Sequence, residues 1–219
     1  RPLSRDIEVP GRLQAVRTAE VRARVDGILE RRLYAEGTDV RAGRELFAID
    51  PLPLQAKLAA AEATLARAEA AAANAKQDLA RYESLVGKRA ISQQELDATV
   101  ARARAADADV AAARAQVATA RLNLSYATVT APIDGRAGRA AVTEGALVSA
   151  GAGTLLTRIE QLDPMYVNFS ESNEDLLAIR QTLERRGGDG SVTVRLFLPD
   201  GTEYGQTGRL DFLDLSIDE

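Results

Sequence analysis

The side chains that could carry chemistry here are carboxylates, amines, guanidinium groups and hydroxyls, because the chain contains no cysteine and no histidine. Disulfides, cysteine nucleophiles, zinc clusters and imidazole bases are therefore excluded. Two close carboxylate pairs, Asp107 with Asp109 and Glu174 with Asp175, suggest acid–base catalysis or metal binding. Residues one or two positions apart do not share a helix face, so a solvated surface is the better interpretation.

The remaining candidates also favour a protein without a catalytic centre. The glycine-rich stretch 151–154 lacks the lysine and the helix of a phosphate-binding loop, so it is predicted to be a turn. Four arginines, Arg24, Arg31, Arg32 and Arg41, make one region locally basic, either as a solvated face or as a subunit interface. Lys and Arg number 28 against 32 Asp and Glu, which argues against nucleic acid as a partner. We predict no catalytic residue, no cofactor and no metal site.

The middle of the chain must position any functional residues, and it is predicted to be helical. Ala fills 26 of the 71 positions from 54 to 124, and Gly87 is the one glycine among them. Apolar residues recur every seven positions, which is typical of a coiled coil. They are Leu58, Leu65, Ala72, Leu79 and Val86, then Leu96, Ala103, Val110, Val117 and Leu124.

The break in this pattern predicts two helices, 54–86 and 92–124. Ser92 followed by Glu95 is a capping box that begins the second helix. Two helices of similar length with a short connection predict an antiparallel hairpin, each helix about 50 Å long. Alanine along the seam allows the helices to approach closely.

The segments on either side of the helices are predicted to be β-structure and contain an internal repeat. Four features recur at one offset of 108 positions. Asp26-Gly27 recurs as Asp134-Gly135, Glu36-Gly37 as Glu144-Gly145, Val40 as Val148, and Ala42-Gly43 as Ala150-Gly151. Neither copy has enough apolar residues to close its own core, so the two copies are predicted to form one β-sandwich. We expect turn conformations at Gly27, Gly37, Gly43, Gly135, Gly145 and Gly151.

The C-terminal segment has a strand-like run at 165–169, a short helix at 173–186, and two strands around the turn Pro199-Asp200-Gly201. Its pattern stops in the middle of a sheet, so further sequence is expected beyond Glu219. No apolar run approaches the roughly 20 residues of a membrane span. An export signal or lipid anchor is expected before Arg1.

These features resemble a split lipoyl-type domain carrying a helical hairpin, the arrangement of periplasmic adaptor, or membrane fusion, proteins of the HlyD-like superfamily. Three stretches carry the resemblance: 25–43, 131–148 and 161–167. The third, Gln161-Leu162-Asp163-Pro164-Met165-Tyr166-Val167, is similar to the entry into the β-barrel of adaptors for RND transporters. The resemblance implies an α+β multidomain, elongated fold.

The expected domains follow the resemblance. Residues 1–18 form an N-terminal strand of the β-barrel or membrane-proximal region, and 19–53 form the first lipoyl half. The helical hairpin occupies 54–124, the second lipoyl half 125–161, and an incomplete β-barrel domain 162–219.

The resemblance also implies a function: coupling an inner-membrane RND transporter to a TolC-like outer-membrane channel for multidrug efflux. It implies a hexameric ring, a periplasmic location and an anchor in the inner membrane of a Gram-negative bacterium. In the family, the hairpin tip contacts the channel through an arginine, a leucine four residues later and a serine seven further on. Those positions are Arg81, Leu85 and Ser92 here, although a solvated arginine, a seam leucine and a simple helix cap also explain them.

Three alternatives have different signatures. An adaptor for an ABC-type exporter or type I secretion system is the nearest, and the short helix at 173–186 favours the RND branch over it. An acyl or biotin carrier domain needs a lysine at the turn near Ile49-Asp50-Pro51, but the nearest is Lys57, within the predicted helix. A self-associating coiled-coil scaffold leaves the duplicated half-motifs unexplained.

Overall fold

The computed structural model describes residues 9–86, 92–169 and 193–209, which form ten β-strands and two α-helices. Four strands precede the helices: β1 Gly11–Arg22, β2 Gly27–Arg32, β3 Asp39–Val40 and β4 Glu45–Ile49. The helices are α1 Leu52–Val86 and α2 Gln93–Ser125. Six strands follow: β5 Thr128–Thr130, β6 Gly135–Ala137, β7 Leu147–Val148, β8 Leu155–Phe169, β9 Thr193–Phe197 and β10 Glu203–Arg209.

The chain divides into two units, one being Ala15–Met165 and the other comprising Arg1–Gln14 with Tyr166–Glu219. In the second unit, β9 and β10 pair antiparallel. The turn between them is the predicted one: Asp200 Oδ1 accepts hydrogen bonds from the Thr202 amide at 2.9 Å and the Thr202 hydroxyl at 2.6 Å. The short helix predicted at 173–186 lies outside the described residues.

Within Ala15–Met165, the strands form two four-stranded sheets, ordered β1-β8-β6-β3 and β5-β4-β2-β7. We call these sheets and their connections the β unit. Each sheet contains two strands from before the helices and two from after them. The segments flanking the helices therefore interleave, and neither half has a sheet of its own.

One hydrophobic core fills the β unit. Leu29, Phe47, Leu156 and Ile159 are all less than 2% exposed, and burial of each such side chain contributes about 1.5–3 kcal/mol. Val25 from the first half is part of this core, and Ile133 from the second packs against it. The prediction that both halves form one globule is therefore confirmed.

A buried tyrosine joins the same core. The Tyr34 ring meets Phe47 edge to face, with centroids 5.4 Å apart. Its hydroxyl lies 3.0 Å from both the Gly138 carbonyl oxygen and the Thr157 hydroxyl. Burial raises the pKa of Tyr34.

The internal repeat is visible as pseudo-twofold symmetry. In the β2–β7 pair, Gly27 lies opposite Val148; in the β3–β6 pair, Val40 lies opposite Gly135. Each residue of one pair is 108 positions from a residue of the other. The two sheet orders correspond strand by strand in the same way, so the repeat in sequence is a repeat in structure.

The repeated aspartates each bind the opposite half. Asp26 Oδ1 accepts a hydrogen bond from the Ala150 amide at 2.8 Å, and Asp134 Oδ1 accepts one from the Ala42 amide at 2.7 Å. Ala42 and Ala150 are themselves 108 positions apart. The exchange is therefore reciprocal.

The repeated glutamates do the same. Glu36 Oε1 accepts from the Ala140 amide at 2.9 Å, and Glu144 Oε1 accepts from the Arg32 amide at 2.8 Å. Four carboxylates thus satisfy backbone donors of the partner half, a charge-assisted type of hydrogen bond stronger than a neutral one. We call these four contacts the carboxylate exchange.

Two of these carboxylates titrate below their ordinary range. The Ser149 hydroxyl, together with the Ala150 amide, lowers the pKa of Asp26. The Ala140 amide and the nearby Arg32 guanidinium lower the pKa of Glu36. Both groups favour the folded state in their charged form.

The six glycines predicted at turns have different structural reasons. Gly37, Gly43, Gly135 and Gly145 have positive φ angles. At Gly135, φ is 156° and a Cβ would lie 2.5 Å from the Glu160 carbonyl oxygen. Gly27 instead begins β2, where a Cβ would lie 2.7 Å from Ile49 Cγ2, so close packing replaces the expected turn. Gly151 lies in a turn, but the positive φ there belongs to Gly153.

Several boundaries differ from those predicted. Helix α1 begins at Leu52, two residues before position 54, because Asp50 Oδ1 accepts the Leu52 amide at 2.9 Å. Pro53 is compatible with a first helical turn, where its missing N–H is not needed. Helix α2, at Gln93–Ser125, is displaced by one residue from the predicted 92–124, because Ser92 is its N-cap.

We predict that Gly135→Ala destabilises the chain by about 1–3 kcal/mol, because the new Cβ would meet backbone and adopt a strained φ. Gly151→Ala is the matched control, since its Cβ would have no neighbour nearer than 3.8 Å. Chemical denaturation measures both. Equal stability of the two variants would contradict the close approach at Gly135.

We also predict an acid-dependent contribution from the carboxylate exchange. Because the folded-state pKa values of Asp26 and Glu36 are lowered, their stabilisation is complete above the unfolded-state values of about 4 and is lost as pH falls through the folded-state ones. The double variant Asp26→Asn/Glu36→Gln should melt at a lower temperature than the parent at neutral pH. That difference in melting temperature should narrow as the pH falls below the unfolded-state values of about 4 and the parent's two carboxylates become protonated; a difference that stays constant through the titration would contradict this account.

Candidate functional site

The candidate site lies at the end of the two helices remote from the β unit, so its geometry depends on how α1 and α2 pack. Three ion pairs join them: Glu62–Arg121 at 3.2 Å, Glu69–Arg114 at 3.0 Å and Lys76–Asp107 at 2.7 Å. Each step of seven residues forward along α1 matches seven residues backward along α2. The helices are therefore antiparallel and in constant register over these pairs. We call α1 and α2 together the helix pair.

The seam between the helices follows the predicted seven-residue pattern. Ala72 on α1 and Ala103, Val110 and Val117 on α2 are buried. The remaining described members of both series, listed next, are half-buried: Leu58, Leu65, Leu79, Leu96 and Leu124. Small and medium side chains thus fill a narrow seam, as expected for closely spaced helices.

The ion pairs also disfavour other registers. On α1 the first two members are acidic and the third, Lys76, is basic. A slip of one heptad would place Lys76 against Arg114 in one direction, or Glu69 against Asp107 in the other. Each pair is half-exposed and contributes at most about 1 kcal/mol, so the ladder acts on register more than on stability. The heptad-spaced charges were visible in the sequence, and sequence reasoning missed them.

Arg81 lies one and a half turns before the end of α1. Its side chain is 66% exposed and forms an ion pair with Asp78, one turn earlier, at 3.5 Å. Its carbonyl oxygen accepts a hydrogen bond from the Ser84 hydroxyl at 2.7 Å. The guanidinium group therefore retains donors that face solvent, which suits recognition of carbonyl or carboxylate groups.

Ser92 caps α2 in the predicted capping box. Its hydroxyl accepts from the Glu95 amide at 3.3 Å, and its own amide donates to Glu95 Oε2 at 2.9 Å. This amide contact, followed by one from the Ser92 hydroxyl, lowers the pKa of Glu95. Ser92 is an exposed residue, and its hydroxyl also donates to Glu95 Oε2 at 3.0 Å.

The register of the ion pairs, extended at 1.5 Å per residue, separates the three predicted tip residues along the helix axis. The helix register places Arg81 about 15 Å from Ser92 along the axis, and half-buried Leu85 about 9 Å from it. The contacts of Arg81 and Ser92 given above stay within their own helices. A partner would therefore meet them as separate points along the helix ends. The connection at 87–91 lies outside the described residues.

Other types of site find little support in the described parts of the chain. Residues 9–86, 92–169 and 193–209 contain no group of three or more acidic residues placed to hold a metal ion. Within the same residues, neither helix has the length and apolar character to cross a membrane. Lys57, the residue nearest to a carrier-type lysine, lies in the second turn of α1.

Comparison with protein families gives two successive matches. The family model "RND MFP, barrel-sandwich hybrid domain" matches residues 17–159, and "RND MFPs, beta-barrel domain" matches residues 164–219.

Two curated relatives from Escherichia coli K12 match the whole chain over 221 residues. The multidrug export protein AcrE is 46% identical, with 100% of this chain and 57% of the relative covered. The multidrug efflux pump subunit AcrA is 44% identical, with 100% and 56% covered. The chain thus spans little more than half the length of these relatives.

A solved structure is similar over most of the chain. It is a MacA–MexA chimeric protein containing the Pseudomonas aeruginosa MexA α-hairpin domain, with a TM-score of 0.64 and 26% identity. The match covers 94% of this chain and 65% of that one.

We predict that Ser92→Ala destabilises the helix pair by about 1 kcal/mol, because the Glu95 amide loses its acceptor, whereas Ser92→Asp keeps a capping oxygen and most of the stability. Thermal unfolding followed by circular dichroism measures both. Equal loss in the two variants would show that the cap is not what Ser92 contributes.

Proposed function

This chain belongs to the RND membrane fusion protein family, and we propose that it is the central part of a periplasmic adaptor of a tripartite multidrug efflux pump. The adaptor couples an inner-membrane RND transporter to a TolC-like outer-membrane channel. It acts by holding its partners in place and carries out no chemical step.

One observation supports this proposal most strongly: the start of α1 and the end of α2 are both anchored in a single β unit. Leu54 of α1 is buried in the core of that unit, and Leu124 of α2 packs against the same core. The seam and the ion pairs then keep the helices together as they extend from it. Such a rod transmits position over a distance, which a coupling protein requires and a catalytic domain does not.

We propose that the helices and residues 87–91 complete a hairpin, with the β unit as a split lipoyl-type domain. In this assignment the lipoyl halves are 19–53 and 125–161, and residues 162–219 belong to a β-barrel domain, in agreement with the range of the second family model. The six turn and close-approach glycines keep the lipoyl-type fold compact. The adaptor would form a ring, hexameric by family analogy, in the periplasm, with an inner-membrane anchor outside these residues.

The channel-contacting residues of this proposal are Arg81, Leu85 and Ser92. Arg81 supplies solvent-facing donors for carbonyl or carboxylate groups of the channel. Leu85 supplies apolar surface at the end of the seam, and Ser92, an exposed residue, supplies a hydroxyl besides its capping role. Their separation along the helix ends suits an extended contact with a partner helix rather than a pocket.

We predict that Arg81→Asp in the full-length protein abolishes efflux while helix content and expression stay normal, because the reversed charge repels the acceptors that Arg81 binds. Arg81→Lys should keep partial activity, since it keeps the charge but loses the planar fork. Accumulation of a dye substrate in cells measures both.

Arg67→Asp is the matched control. Arg67 lies two heptads earlier on α1, exposed on the same face but far from the helix end. Efflux that survives Arg81→Asp, or that fails equally in both variants, would reject the proposed contact.

A further inference from the structure

The helix pair is joined to the β unit at two points of different construction. At the start of α1, backbone and turn contacts fix the chain: the Asp50 amide donates to the Ile28 carbonyl oxygen at 2.9 Å, and Asp50 Oδ1 accepts the Leu52 amide. Pro51 restricts the backbone between them. This first junction therefore combines backbone and turn contacts with the buried side chain of Leu54.

At the second junction one residue, Tyr126, separates the helix from the buried Ala127, whose amide donates to the Leu124 carbonyl oxygen at 3.1 Å. Helix α2 ends at Ser125, and Ala127 is buried, its carbonyl oxygen accepting the Ile49 amide of β4 at 2.8 Å. Tyr126 lies between them in a helical conformation, with φ −76° and ψ −8°. A change in the Tyr126 dihedrals would turn α2 relative to the sheets.

A side-chain contact holds Tyr126. The Arg24 guanidinium carbon lies 3.7 Å from the centroid of the Tyr126 ring, and Arg24 Nη2 donates to the Tyr126 hydroxyl at 2.8 Å. Arg24 itself sits between the buried residues Ala23 and Val25, so its backbone is fixed in the β unit. A residue of the first half thus contacts the residue that follows the second helix.

Comparison of the two halves of the repeat shows that the β fold does not require the Arg24–Tyr126 contact. The positions 108 residues from Arg24 and Tyr126 are Pro132 and Thr18, which cannot form a cation–π pair. The carboxylate exchange, by contrast, is present in both halves. The Arg24–Tyr126 contact is therefore an addition at the place where a helix leaves the sheets.

We infer that Arg24 and Tyr126 are positioning residues that set the direction in which the helix pair leaves the β unit. In the proposed function, on which this meaning rests, that direction decides where the helix ends meet the channel. Arg24 is exposed, so the contact is weak enough to be released and remade. Loss of an exposed cation–π contact should lower the ratio of held to released conformations roughly two- to fivefold.

The test measures the direction of the helix pair without a pump. Nitroxide labels are attached at Arg44→Cys in the β unit and Arg104→Cys on α2, both exposed, in a chain that has no cysteine of its own. Double electron–electron resonance then gives the distance distribution. We expect Arg24→Gln and Tyr126→Leu each to broaden this distance distribution. Tyr126→Phe, which keeps the ring, should leave a distribution close to that of the parent.

Two controls make the result specific. Arg31→Gln removes another exposed arginine of the β unit and should leave the distribution narrow. Combining Arg24→Gln with Tyr126→Leu should broaden it no further than either change alone, since both remove one contact. Unchanged widths in both single variants, with unfolding temperatures like the parent's, would overturn the inference, and so would equal broadening by Arg31→Gln. Neither result depends on efflux, so the proposed function stands or falls separately.

Discussion

The structure depends on the one hydrophobic core that both halves of the β unit share, and the carboxylate exchange joins the same halves at the surface. Asp26 and Glu36 bind amides of the second half, and Asp134 and Glu144 bind amides of the first. All four bonds are exposed, so they add to the association of the halves, while the hydrophobic core that the halves share supplies most of the stabilisation. The sheets add the same constraint, because each is built from strands of both halves. Folding of the β unit therefore requires the halves to meet, which brings the two ends of the inserted helices together.

The helices exploit this arrangement. Their ends are placed side by side by the β unit, so the antiparallel pair needs little stabilisation from its own seam, and alanine suffices where larger residues would hold the helices apart. Aromatic residues make up 4% of the chain. The aromatic pair Tyr34–Phe47 lies in the β unit and not in the seam, which agrees with a seam of smaller side chains. The ion pairs determine which residues of the two helices face each other. They therefore also determine the positions of Arg81 and Ser92 along the helix axis.

The proposed coupling role agrees with the way this protein is built. Its polar contacts join one part of the fold to another, with the exposed Arg81 and Ser92 at the far end. Backbone and core contacts are present at both junctions, and the Arg24–Tyr126 contact is added at the second. In the proposed function, the added contact would set the direction of the helix pair while its length stays constant.

The sequence by itself determined the local features. Seven-residue spacing predicted both helices, Ser92 and Glu95 predicted the cap of α2, and the offset of 108 residues predicted a shared β unit, because each depends on short-range periodicity or repetition. Tertiary structure decided what depends on residues distant in the chain. Gly27 proved to be a packing glycine because Ile49 lies against it, and the aspartates and glutamates of the repeat proved to bind across the halves. The contact between Arg24 and Tyr126 joins residues 102 positions apart. No local pattern encodes such a contact, since it exists only once the core has set both backbones in place.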